Sequence, residues 1–328
     1  MREVPQAKFR GWEPPSYRVD ERGKVEGATP GEPNNWGRWG DDDQRGTLNL
    51  LTPDRVAQAA ALVRTGERFP LGLPIGGVPT PSHRPPVSHL FSNVAGDYVL
   101  GDAPAGLQTS DDYVMMALQA STQVDGFGHF GGDGFMYNGF WAGLVSARSG
   151  ARRLGVHHFG DGFVGRGVLL DVARHVGVER LDPMFRVGPA LLEATAGAQG
   201  VEVRSGDLLL VRTGWLGWWL AQDDKTDPVR DEPGVSAKAV PWIAERDVAL
   251  LATDTTAVEV MAPEEGERPL ALHVAALRDL GMPLGEMFDV DALAAACASD
   301  GVWEFFLSIG VLPVVNGVGS PVNPIAVR

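Results

Sequence analysis

Three short apolar runs constrain this chain more than any other feature. Gly167-Val-Leu-Leu-Asp171, Asp207-Leu-Leu-Leu-Val-Arg-Thr213 and Val248-Ala-Leu-Leu-Ala-Thr-Asp254 each string aliphatic side chains together and end on a polar residue. Neighbouring side chains of a strand point to opposite faces, so an unbroken apolar run has both faces buried. Such strands belong in the middle of a sheet covered on two sides. The segments around them read as helices. Thr52-Pro53 opens one, with Thr52 as N-cap, and Pro189 to Ala196 is a second. Ser236 caps a third that runs to Arg246. A fourth, about Leu270 to Leu280, ends at Gly281, and a fifth starts at Asp289 or Asp291 and runs to Ala298. Further apolar runs follow at Phe305–Ile309 and Val311–Val315. Strands alternating with helices predict an α/β domain with a β centre.

With 328 residues, 44% of them hydrophobic, the chain suffices for one large domain with a sizeable core. Residues 1–37 are polar and rich in Pro and Gly, and read as an irregular N-terminal arm. Trp12 and Trp36 are its candidates for docking on the body or on a neighbouring subunit. Residues 38–328 make up the folded domain. The formal net charge of −14 argues against a nucleic-acid partner, which calls for a basic face. The lone cysteine, Cys297, rules out an internal disulfide and a Cys-based zinc site. No run is long enough to span a bilayer and the N-terminus has no apolar leader core, so a cytoplasmic protein without a membrane partner is expected. No GxGxxG follows a strand, and Gly317–Pro324 lacks the Lys of a phosphate loop.

The chemistry concentrates in Met116-Ala-Leu-Gln-Ala-Ser-Thr-Gln-Val-Asp-Gly-Phe-Gly-His129. Gln119, Thr122, Gln123, Asp125 and His129 are hydrogen-bonding groups placed just after the apolar Val114–Leu118. Gly126 and Gly128 disfavour a helix, so Asp125 and His129 are expected to meet through a turn. That pattern, an apolar strand opening into a polar turn, presents reactive groups at a sheet edge. His273 and Glu286 form a second cluster downstream. A carboxylate, an imidazole and a second carboxylate can hold Zn2+ or Mn2+. Nothing local shows that the two clusters meet. Asp254 and Glu259 follow a strand end, where α/β folds place functional groups, with helix capping or surface charge as the plainer readings; Asp41–Asp43 are read as a solvated turn partnered by Arg45, and His157-His158 as no metal site.

The stretch Gln119-Ala-Ser-Thr-Gln-Val-Asp-Gly-Phe-Gly-His129 resembles the signature of the cyclase family of metal-dependent hydrolases, His-x-Gly-Thr-His-x-Asp-x-Pro-x-His. That family includes the bacterial kynurenine formamidases and isatin hydrolase. Thr122, Asp125 and His129 match; Gln119 and Gln123 stand where the family has metal-binding His. Leu272-His-Val-Ala-Ala-Leu-Arg-Asp-Leu-Gly-Met-Pro-Leu-Gly-Glu286 resembles the later His and Glu ligands. The likeness extends through Trp39–Pro53, Gly165–Asp171, Gly206–Gly214 and Gly319–Pro324, nearly the whole chain past the arm.

The resemblance implies a barrel-like, swivelling mixed sheet flanked by helices, in a homodimer or tetramer. It implies that Asp125, His273 and Glu286 hold one divalent metal ion, Zn2+ or Mn2+. Gln123 and Gln119 would be weaker oxygen ligands or partners of the ligands, and His129 the catalytic acid/base. Thr122 or Gln123 would bond the oxyanion. Phe127, Phe130, Tyr137 and Trp215 would wall a pocket for a planar small-molecule substrate. The expected activity is arylformamidase-like hydrolysis of a small amide, lactam or lactone at a non-peptide bond. A metal-dependent cyclase, isomerase or dehydratase is one alternative, and a metal-free binding protein another.

Overall fold

The three apolar runs become neighbouring parallel strands at the centre of one sheet. This is seen in a computed structural model that describes residues 17–78, 84–100, 109–223, 231–264 and 266–328. Trp12 lies outside the described residues. In chain order the described strands of three or more residues are β1 (Arg68–Pro70), β2 (Ser88–Asn93), β3 (Asp111–Met115), β4 (Gln123–Asp125), β5 (Phe163–Asp171), β6 (Leu208–Arg212), β7 (Leu250–Thr253), β8 (Leu284–Glu286), β9 (Glu304–Ile309), β10 (Gly319–Pro321) and β11 (Ile325–Val327). Nine of them form one sheet, ordered β1-β11-β9-β5-β6-β7-β8-β4-β10. β5, β6, β7 and β8 are parallel; every other pairing in the sheet is antiparallel. The protein is a single mixed α/β domain whose sheet curls into a half-barrel flanked by helices.

Leu169, Leu208, Leu209, Leu250 and Leu251 are fully buried, as two-sided coverage requires. The flanking helices follow from their end signals. Thr52 accepts a hydrogen bond from the Arg55 amide and Pro53 occupies the first turn of the Pro53–Ala60 helix. Pro189–Gln199 ends on Gly200 in the left-handed conformation. Ser236 caps as expected, but a 3-10 turn (Ala237–Ala239) precedes the short Val240–Glu245 helix. The His273 segment departs further from expectation. Ala271–His273 is α-helical, and Val274–Leu280 continues as a π-helix to a left-handed Gly281.

Three expectations are corrected. Val114–Leu118 is not one strand that opens into the polar turn: only Val114 and Met115 are in a strand, β3. Among the described residues β3 pairs with β2 alone, in a ribbon that leaves Leu90, Phe91, Tyr113, Val114 and Met115 exposed. Asp125 ends a buried core strand instead of lying within a turn, and the turn starts at Gly126. Arg45 bonds Asp161, not its acidic neighbours. Asp43 instead takes the Gly46 amide, Asn49 and the Tyr137 hydroxyl. Trp36 does dock on the body: its indole N–H donates to the Arg278 carbonyl at 2.7 Å and its ring meets Phe135 edge-on.

Gly46 shows how tightly the frame behind the site closes. Its φ is +54°, and a Cβ there would lie 1.9 Å from the Gly281 carbonyl oxygen and 2.7 Å from the Phe127 ring. Gly46→Ala combines left-handed strain with overpacking and is expected to cost about 3 kcal/mol or more. Thermal unfolding checks this, and a midpoint within a degree of wild type would refute it.

Candidate metal centre

β4 alternates Gln123, Val124, Asp125. Val124 faces the core, so Gln123 and Asp125 share the opposite face. In the antiparallel β4/β8 pair Gln123 lies opposite Glu286, and Asp125 lies opposite Leu284. Directly paired residues bring their side chains together, and the Gln123 Nε2 donates to Glu286 Oε2. On the far side of β4, Gly319 of β10 pairs with Asp125. A Cβ at Gly319 would come within 2.5 Å of the Gln119 Nε2, so the glycine makes room for that amide beside Asp125.

The turn after Asp125 is held from below. The His129 amide donates to the Gly126 carbonyl at 2.9 Å, and the Gly126 amide to the Val318 carbonyl at 2.9 Å. Phe127 drops into the core against Tyr137 and Phe159. His129 Nε2 is thereby placed 3.7 Å from Asp125 Oδ1. From the other half of the chain, His273 Nε2 lies 3.4 Å from Glu286 Oε1. One donor atom each from Asp125, His273 and Glu286 falls within 4.8 Å of the others, and all three residues are buried. Phe130 bridges the two histidines, with ring centres 5.8 Å from His129 and 5.2 Å from His273.

These residues fit a divalent cation. Both carboxylate oxygens of Asp125 and the Oε1 of Gln123 are buried and have no hydrogen-bond donor. An unmet buried acceptor costs about 1–3 kcal/mol, and more when charged. Burial, then the nearby Asp125 carboxylate, pushes the Glu286 carboxyl above its usual range. Burial alone would lower His273, but hydrogen bonds to Glu259 and Glu286 outweigh it and raise its pKa. The cluster thus holds more acceptors than its own protons satisfy. A cation would supply the missing positive charge and displace the His273 proton. His129 differs. Burial lowers its pKa despite the opposing pull of Asp125, which favours a neutral imidazole.

The remaining sequence candidates separate clearly. Thr122 is not available to a substrate: its hydroxyl donates to the Met287 carbonyl at 2.7 Å and accepts the Leu73 amide at 2.9 Å. Phe127 and Tyr137 are fully buried core residues rather than pocket walls. Trp215 is also buried, stacked on Trp219 at 5.9 Å in a small apolar cluster with Met287, next in sequence to Glu286. Phe130 remains at the site. A groove of about 620 Å3 lined by Glu193, Arg204, Trp242 and Arg246 contains none of these residues.

The cyclase family model matches residues 53–260, well over half of the chain. This chain belongs to the cyclase family. Among solved structures, one described as a novel cyclase is 38% identical, with a TM-score of 0.84 over 90% of this chain and 97% of that one. Isatin hydrolase A from Ralstonia solanacearum (18% identity, 83% of this chain and 95% of that one, TM-score 0.59) shares the fold. So does isatin hydrolase A from Labrenzia aggregata, solved with benzyl benzoate bound (18%, 85% and 98%, TM-score 0.58). No curated protein matches the sequence.

Two residues of this cyclase-family site were not legible beforehand. Glu259 is buried, not a surface charge; it caps the His273 helix, as one reading had it, and also bonds the His273 ring. Arg84 acts electrostatically on both His129 and Glu286. An acidic residue past a strand end was the only signal for the first; a lone Arg in a Pro-rich segment gave none for the second. Among the described residues, no helix is long and apolar enough to cross a membrane.

Proposed function

We propose that this cyclase-family protein is a metal-dependent hydrolase of a small amide, lactam or lactone. The observation that carries the proposal is the convergence of Asp125, His273 and Glu286 within 4.8 Å, with His129 3.7 Å from Asp125. Asp125, His273 and Glu286 would hold one divalent ion, Zn2+ or Mn2+, with the Gln123 oxygen as a further donor. When bound, the ion supplies Lewis acidity and lowers the pKa of water from 15.7 to about 7.

His129 does the proton work. Its lowered pKa favours the neutral imidazole, whose unprotonated ring nitrogen would take a proton from the attacking water. The same nitrogen then returns that proton to the leaving amine or alcohol, so one water adds across the broken bond. The Thr122 hydroxyl proton is already committed to Met287, so the oxyanion donor falls to an amide. Gln119 is the better candidate, since its buried Nε2 has no partner. Phe130 covers the site between the two histidines and offers a flat apolar contact.

Oxygen-18 water tests the reaction class. Metal-loaded protein is screened against anilides, lactams and lactones, and each product is weighed. One labelled oxygen per turnover supports hydrolysis. Turnover without label would establish ring closure, isomerisation or dehydration instead.

A further inference from the structure

Glu259 is buried against the start of the His273 helix, and among the described residues its carboxylate bonds two consecutive residues. Its Oε2 accepts the Leu272 amide at 3.0 Å. Its Oε1 accepts the His273 amide at 2.7 Å and lies 2.7 Å from His273 Nδ1. A ring held at Nδ1 by a carboxylate carries its proton there and turns Nε2 outward as a free donor pair. Nε2 is the nitrogen that faces Glu286. The backbone around it is not one a helix adopts unaided. Leu270 is left-handed at φ +54°, and the π-helix begins immediately after His273. Non-helical entry and π geometry are both held in place by surrounding contacts and recur at functional sites.

We infer that Glu259 is the positioning residue of the metal centre: it fixes the tautomer and direction of His273 through Nδ1 and so sets the affinity of the ion. This inference rests on the metal reading above. A carboxylate at this position also caps the helix, which alone would explain the two amide bonds. It would not explain the third bond, to the ring.

The test uses the full chain stripped of metal with a chelator and titrated with Co2+, read by visible absorption. Wild type, Glu259→Gln, Glu259→Ala and Asp125→Asn are compared, and the metal-free unfolding midpoint of each is measured separately. We expect Glu259→Gln and Glu259→Ala to bind Co2+ about 10–100-fold more weakly than wild type and with an altered spectrum. Should the Ala variant not fold, the Gln variant carries the test, since it keeps one oxygen for the His273 amide. Wild-type affinity and spectrum in a folded variant, with only the midpoint lowered, would reduce Glu259 to a helix cap and overturn the inference alone. No Co2+ binding by wild type would overturn the metal reading, and the inference with it.

Discussion

Asp125→Asn should empty the metal centre while leaving the fold intact. Wild-type protein prepared without chelators should carry about one equivalent of Zn2+ or Mn2+, and the variant essentially none. The asymmetry comes from the surroundings of Asp125. It is fully buried and both of its oxygens lack donors. Asparagine removes the charge and replaces one acceptor with an N–H2 directed at the cation. The loss in affinity should exceed the roughly 10–100-fold typical of an outer partner. Metal-free stability should move the other way or not at all. The substitution removes an uncompensated charge from a site shared with Glu286, and such charges are costly to bury. Elemental analysis and thermal unfolding of the stripped proteins give both numbers. A variant that keeps one equivalent would exclude Asp125 as a ligand.

His129→Ala should have the opposite signature. Metal content should stay at the wild-type level, since the imidazole lies outside the three-donor cluster. Turnover on any substrate found by the labelling screen should fall about 10²–10⁴-fold, the usual contribution of a positioned acid/base. The side chain is 23% exposed, so the truncation leaves a dent at the surface rather than a sealed cavity, and stability should change little. Full activity in this variant would remove His129 from the mechanism.

The central parallel strands could be read from the sequence because burial on both faces writes itself into the apolar stretches Val168–Leu170, Leu208–Val211 and Leu250–Ala252. β4 could not. Gln123-Val124-Asp125 is short and two-thirds polar, and it is a strand because β8 and β10 pair with it on either side. The Gly126/Gly128 turn was legible through backbone freedom. Its partner residue Phe127 was misplaced, since an aromatic in such a turn looks the same whether it lines a pocket or plugs the core. The meeting of Asp125 with His273 and Glu286 spans most of the domain. Only the family resemblance pointed to it; no periodicity could. Glu259 was missed for a related reason. Its value depends on burial, and burial is set by elements distant in sequence.

The place of β4 between β8 and β10 also dictates when the centre can exist. The strands that flank it begin 159 and 194 residues after Asp125. At the ribosome's pace of about 5–20 residues per second, β4 waits roughly ten to thirty seconds for β8. Until then its acidic face and the apolar side of Val124 have no neighbours to pair with. The proposed ion site is therefore complete only once β8 has been made and paired with β4. A chain that stops before β8 lacks Glu286, one of the three proposed ligands.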